Sequence, residues 1–170
     1  MGMSPISGAI KLSDELSASA QRVQAALRRC GLTCQVVEMP ATTRSAKEAA
    51  QAIGCRVEQI VKSIVFKAAR TGNPVLVVAS GPNRINEKTL SELVGEPIEK
   101  ADADFVRRRT GFAIGGVSPV GHLESLDIFI DEDLLQYDEI WAAAGTPHAV
   151  FKLTPAGLQT ITAGRVVSIK

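Results

Sequence analysis

The chain has 170 residues, of which 45% are hydrophobic, 22% charged and 4% aromatic, and a formal net charge of +1. That length suffices for one globular domain with its own core, without help from disulfides or a structural metal, and is too short for two full domains. The three cysteines, Cys30, Cys34 and Cys55, exclude a fully paired secreted framework, no stretch approaches about 18 consecutive apolar residues, and no basic-then-apolar leader opens the chain, so a cytoplasmic protein without a membrane span or signal peptide is expected.

Residues 1–16 are expected to form an N-terminal tail and residues 17–170 a single domain, because no repeat, low-complexity stretch or Pro/Gly/Ser linker divides the chain. Val23, Ala26, Leu27 and Cys30 share one helical face, which predicts a helix from about Ser17 to Cys30, stopped by Gly31. A short strand follows over Cys34–Met39. Ser45 and Glu48 make a Ser-x-x-Glu capping box that opens a helix to Ile53, ended by Gly54. The centre is β-structure: Val61–Ala68 and Pro74–Ser80 are apolar and β-branched, and Arg70-Thr71-Gly72-Asn73 between them is a hairpin signal. Asn86 and Asp102 cap helices that end at Gly95 and Gly111. Short strands are expected at Phe112–Val117, Leu126–Ile130, Glu139–Ala144 and Ala149–Leu153, with Asp131-Glu132-Asp133 a solvated turn. Thr154-Pro155 opens a last helix over Pro155–Thr162, and Arg165–Ile169 returns as a closing strand. Hairpins and helices in irregular alternation predict an α+β fold with a mixed, mostly antiparallel sheet flanked by helices, rather than a doubly wound βαβ fold.

The net charge hides a split. Residues 1–85 carry 11 Lys/Arg against 5 Asp/Glu and residues 86–170 carry 8 against 13, giving halves of +6 and −5. Either folding mixes the two, or the basic half marks a polyanion-binding face.

Lys62 is the most informative residue. In an extended Val61–Phe66 segment it shares a face with Ile64 and Phe66, and Val61 and Val65 make the other face apolar as well. Its ammonium either snorkels outward or stands at a pocket floor, where it would meet a phosphate or a polarised oxygen. Gly115-Gly116-Val117-Ser118-Pro119-Val120-Gly121 describes a bent loop with exposed main-chain N–H groups, suited to an anion or a carbonyl oxygen or simply to a turn. It is neither a P-loop nor a nucleophile elbow, because no Gly-Lys-Ser/Thr follows and Val120 stands where the elbow needs glycine. Gly145-Thr146-Pro147-His148 is a second small-residue loop, with His148 either a substrate contact or a solvated bystander; His122 has the same ambiguity. Neither metal nor cofactor is expected, since the two histidines stand apart and the cysteines lack ligand spacing.

The run Gln59–Phe66, then Gly115–Gly121, then Gly145-Thr146-Pro147 leading into Val150-Phe151-Lys152-Leu153, resembles the YbaK/ProX family of aminoacyl-tRNA deacylases, which includes the insertion domain of bacterial prolyl-tRNA synthetases. The similarity covers about Ser17 to Val167. It implies a partly barrel-like sheet and trans-editing, the hydrolysis of the ester joining a wrong amino acid to the terminal adenosine of a tRNA, commonly tRNA(Pro). Partners implied are the acceptor end of a misacylated tRNA and prolyl-tRNA synthetase. Lys62 matches the family's essential lysine; Gly115, Gly116, Val117, Ser118 and Pro119 fit its Gly-x-x-x-Pro loop. Gly145, with Thr146 beside it, matches the second pocket loop, and His148 lies near a histidine of some synthetase-inserted members. Family proposals use a ribose hydroxyl or a bound water, so the lack of a Ser/His/Asp triad is expected. On this resemblance Arg44, Lys47, Lys67, Arg70 and Arg84 offer a path for the acceptor-stem backbone. Val150 stands where cysteine-specific members carry an acidic residue, and Thr146-Pro147 replaces a more basic pair, so cysteine specificity does not carry over; alanine, serine and threonine remain open. The alternatives are a non-catalytic nucleic-acid-binding module on the same scaffold and a small-ester hydrolase unrelated to tRNA.

Overall fold

Strands β2 (Ile60–Ala68) and β3 (Pro74–Ser80) pair antiparallel at the centre of the molecule, from Val61 opposite Ser80 to Lys67 opposite Pro74. The computed structural model describes residues 16–170, and the expected tail therefore lies almost wholly outside the described residues. Leu16, counted with that tail, is buried in the main core. Before the hairpin come α1 (Ala18–Arg29), β1 (Val36–Glu38) and α2 (Ala46–Ile53). After it come α3 (Glu87–Val94), β4 (Ile98–Lys100), α4 (Ala103–Thr110), β5 (Asp127–Asp131), β6 (Ile140–Ala143), β7 (Ala149–Leu153), α5 (Pro155–Thr162) and β8 (Arg165–Val167).

The caps form as the residue types require. Ser17, Asn86, Asp102 and Thr154 each accept a main-chain N–H of the first helical turn, and Ser45 and Glu48 complete the capping box. One mixed sheet runs in the order β1-β7-β6-β2-β3-β5-β8, with β4 added to β2. The β1–β7, β6–β7, β2–β3 and β2–β4 pairs are antiparallel; β2–β6, β3–β5 and β5–β8 are parallel. The α+β expectation therefore holds, with a sheet that stays open rather than closing on itself.

The edge of β2 away from β3 is shared between two short strands. β6 pairs with it only at Ile60 and Val61, and β4 only at Phe66, Lys67 and Ala68. Between them Lys62–Val65 has no strand partner on that side among the described residues, and the site described below forms at this interruption. The apolar residues fall into three clusters around it. The main core joins α1 to Val61, Val65, Leu76, Val78 and Phe151; a second holds Phe66, Val75, Val77 and Leu90 of α3; a third holds Ile53 of α2 with Ile60 and Val150.

Three expectations change. Phe112–Val117 is a loop, not a strand: Gly115 takes φ +93°, a left-handed turn that breaks extended pairing, and Phe112 turns inward to full burial. The three-residue strand β4 has no expected counterpart, being too short for periodicity to mark. Asp131-Glu132-Asp133 is not a solvated turn, because Asp131 is wholly buried at the end of β5 and caps a 3-10 turn over Glu132–Gln136. Strand ends elsewhere shift by one or two residues, as in β1, which starts at Val36 rather than Cys34. No described helix is long and apolar enough to cross a membrane.

The 111–121 segment is tied to α1 by Arg22, whose guanidinium donates to Gly111 O at 2.9 Å and Gly121 O at 3.1 Å and lies 4.3 Å from the Phe112 ring centre. Arg22→Met keeps the stem and removes both donors, leaving two loop carbonyls unpaired. We expect a loss of about 1–3 kcal/mol in unfolding free energy, read from denaturant midpoints.

Candidate active site

Lys62 lies on the face of β2 that runs from Ile60 in the third cluster to Phe66 in the second, so its stem crosses the seam between them. The ammonium is half-buried and donates to the main-chain carbonyl of Asn83, just after β3. Burial pulls the Lys62 pKa below the ordinary lysine value; Asp131 pushes it back up and Arg84 presses it further down. Asp131 accepts hydrogen bonds from Ser80 N at 3.0 Å, Asn83 Nδ2 at 2.8 Å and Asp133 N at 2.9 Å.

Two cavities meet at the interruption of the sheet, and both are lined by Lys62, Ser63, Ile64, Ile114, Gly115 and Val117. The larger, about 630 Å³, adds Arg84, Lys100 and Glu87 to its wall, so three cations face it against one carboxylate. The smaller, about 240 Å³, is bounded by Ile53, Ile60, Trp141, Ala142 and Val150, with Arg44 at its side. Ile114 stands between them and is 55% exposed despite its apolar side chain. Ser63 Oγ is buried with no hydrogen-bond partner among the described residues.

Of the Gly-x-x-x-Pro loop, Gly115 and Val117 line both cavities, and their N–H groups find no acceptor among the described residues, whereas Gly116 N donates to Ala113 O. Gly116, Ser118 and Pro119 are buried behind the wall. A Cβ on Gly116 would come within 2.7 Å of the Thr146 main chain, so this glycine lets the two loops pack face to face. Gly145, at φ +95°, approaches Ser19 O and the Phe112 ring. Gly145 and Thr146 thus support the first loop from behind, and neither lines either of these two cavities. His148 is exposed, and among the described residues only its main chain hydrogen-bonds, its N–H donating to Thr146 Oγ1 and its carbonyl accepting from Met39 N.

The basic set divides in the same way. Arg84 and Arg44 reach the cavities. Lys47 is exposed on α2, Arg70 is exposed in the hairpin turn, and Lys67 lies over the Phe105 ring; none of the three lines either of these two cavities. Sequence reasoning missed Lys100, Ile114, Ser63, Asn83 and Asp131. Lys100 sits in the acidic half, and Asn83 acts through a main-chain carbonyl that no side-chain pattern reports. Asp131 alone left a signal, a carboxylate directly after the apolar run Ile128–Ile130.

His122 Nε2 lies 2.7 Å from Ser118 O, which places the proton on that nitrogen, and the ring meets Phe112 edge-on. Burial lowers its pKa, the Ser118 carbonyl opposes this, and Arg22 adds to it. Because the folded pKa lies below the unfolded one, the unfolded chain binds the extra proton first, so stability falls as pH drops through the ordinary imidazole value and below. His122→Gln should flatten that part of a Tm-against-pH curve. At the loop contact, Gly116→Ala should cost about 1–3 kcal/mol in denaturant unfolding, because the obstructing atoms are main chain.

Residues 40–161 match the model of the aminoacyl-tRNA editing domain. Among solved structures, a candidate trans-editing enzyme for prolyl-tRNA synthetase is 51% identical, with a TM-score of 0.87, over 92% of this chain and 99% of that one. EbsC of Enterococcus faecalis, named as a candidate Cys-tRNA(Pro)/Cys-tRNA(Cys) deacylase, is 28% identical over 126 residues, 74% of this chain and 76% of EbsC. The proline–tRNA ligase of Geobacter sulfurreducens is 36% identical over 99 residues, 58% of this chain and 16% of the ligase.

Proposed function

Because the chain belongs to the aminoacyl-tRNA editing domain family, we propose that it acts in trans as a deacylase, hydrolysing the ester of a misacylated tRNA, tRNA(Pro) bearing a small amino acid such as Ala, Cys, Ser or Thr. The observation that carries this reading is Lys62, whose ammonium stands where a cationic cavity meets an apolar one. The larger cavity falls within the roughly 300–1,000 Å³ of small-molecule sites and takes the terminal nucleotide, with Lys62, Arg84 and Lys100 toward its phosphate. The smaller takes the amino-acid side chain, and Val150 gives its wall no charge to favour a thiol. The ester then lies over the interruption of β2, beside the free N–H groups of Gly115 and Val117.

Ester hydrolysis develops negative charge on the carbonyl oxygen as water adds to the carbon. Donors fixed before the reaction stabilise that charge without reorganising, and the two N–H groups suit this role. Lys62 holds the terminal phosphate or ribose in place, so its contribution is geometry and charge rather than proton abstraction. No protein nucleophile is required; a ribose hydroxyl or water completes the reaction. Arg44 and Arg84 carry the adjoining backbone, Lys47, Lys67 and Arg70 extend the contact along the acceptor stem, and His148 with Gly145 and Thr146 borders the aminoacyl side. Prolyl-tRNA synthetase, acting in the same cytoplasm, is the partner this reading implies.

The test is release of amino acid from a panel of Ala-, Cys-, Ser- and Thr-tRNA(Pro). Lys62→Ala should lower kcat/KM by about 100-fold or more, and an unchanged rate would remove the role assigned to Lys62. Salt-sensitive tRNA binding without turnover on any member of the panel would instead identify a binding module. Hydrolysis of a minimal aminoacyl ester regardless of RNA would identify a small-ester hydrolase. The pH profile is a separate check. The working form carries the protonated ammonium, so activity, corrected for uncatalysed hydrolysis, should fall as pH rises through a Lys62 pKa lying below the ordinary 10.5.

A further inference from the structure

Asp131 is a wholly buried carboxylate with no ion pair to a described cation. It accepts from Ser80 N on Oδ2 and from Asp133 N on Oδ1, so both of its oxygens face main-chain donors, and a neutral asparagine, with one carbonyl oxygen, would serve only one of them. Its third partner gives the charge a purpose. Asn83 Nδ2 donates to Asp131 Oδ2 and to Asp133 Oδ2, both at 2.8 Å, and the main-chain carbonyl of the same Asn83 receives the Lys62 ammonium. Asp133 is held in turn by Lys170 Nζ at 2.9 Å.

We propose that Asp131 is the positioning residue of Lys62: through the Asn83 side chain it fixes the carbonyl that aims the ammonium at the cavities, and it supplies a buried countercharge to it. This rests on the role given to Lys62 above for its effect on catalysis, but not for its effect on the lysine itself. Every other charge around Lys62 is answered elsewhere or faces the cavity. Arg84, after β3, and Lys100, on β4, line the larger cavity with Glu87 of α3; Arg44 lines the smaller; Asp133 is paired with Lys170. The Asp131 charge favours the protonated lysine against burial and against Arg84. An ammonium tethered at one carbonyl by one of its three donors keeps the others free for a substrate oxygen.

Asp131→Asn keeps the shape and removes the charge, and because it also turns one acceptor oxygen into an amide that faces a donor, its unfolding midpoint is measured alongside. Titration of the Lys62 ammonium, followed by nitrogen-15 NMR in lysine-labelled protein and assigned by comparison with Lys62→Ala, should show a lower pKa in Asp131→Asn than in the unmodified chain. An unchanged Lys62 titration would overturn the proposal, and this measurement does not depend on whether the chain is a deacylase. In deacylation, Asp131→Asn should lower kcat by about 10- to 100-fold with KM little changed, and should add nothing to the loss already caused by Lys62→Ala. An equal fractional loss in the Lys62→Ala background would mean that Asp131 acts only through the fold, and would overturn it too. Should Asp131→Asn fail to fold, Asn83→Ala leaves the buried carboxylate with its two main-chain donors and cuts only the link to the carbonyl. It should still lower kcat in the Lys62 background alone, and a kcat equal to that of the unmodified chain would sink the proposal.

Discussion

A charged ammonium in the middle of a central strand has to be solvated by something, and the arrangement around Lys62 follows from how that is done. Water reaches only part of it; the rest is supplied by the Asn83 carbonyl, itself held by a carboxylate buried one strand beyond the hairpin. β2, β3 and β5 are therefore linked by polar contacts at one end as well as by ladder bonds and apolar packing along their length. An aliphatic residue at position 62 would let the second and third clusters fuse across the seam. Lys62 instead lies between the strand residues of the two clusters and lines both cavities.

The hollow that these two cavities form has a cause in the strand pairing. β6 and β4 each satisfy one end of the exposed edge of β2 and neither reaches the middle. Unpaired main chain in a sheet is normally covered or filled, because buried N–H and C=O groups are costly to leave alone. Here the 112–118 loop approaches without pairing, and Ile114, Gly115 and Val117 form the far wall of both cavities. The glycines of the two loops act at different depths. Gly115 is at the surface of the hollow, while Gly116 and Gly145 allow close packing behind it. Arg22 fixes the same loop from the α1 side, so a site made from irregular chain rests on a rigid support.

The distribution of charge follows the cavities more than the chain halves. Lys62 and Arg84, from the basic half, and Lys100, from the acidic half, face one cavity against a single carboxylate, Glu87. Of the other cations of the basic half, Lys67 lies over the Phe105 ring and Arg70 is exposed in the hairpin turn, and neither lines either cavity. A count along the chain reports how many cations exist and not which surface receives them.

Local chemistry determined most of the elements from sequence alone. Capping side chains at Ser17, Ser45, Asn86, Asp102 and Thr154, glycines at the ends of α2, α3 and α4, and the apolar runs of the central hairpin each act over a few residues, and neighbours in sequence are all they require. Lys62 was legible for the same reason, as a charge between apolar faces of one short strand. What needed the tertiary structure was anything set by a partner distant in the chain: the loop conformation of Phe112–Val117, whose extended-looking residues have no strand to pair with; the burial of Asp131, which rests on contacts 48 and 51 residues away; and the tether of Lys62 to a main-chain carbonyl 21 residues on. Pairing and burial of this kind depend on which segments the fold brings together, and no window along the sequence contains both members of the pair.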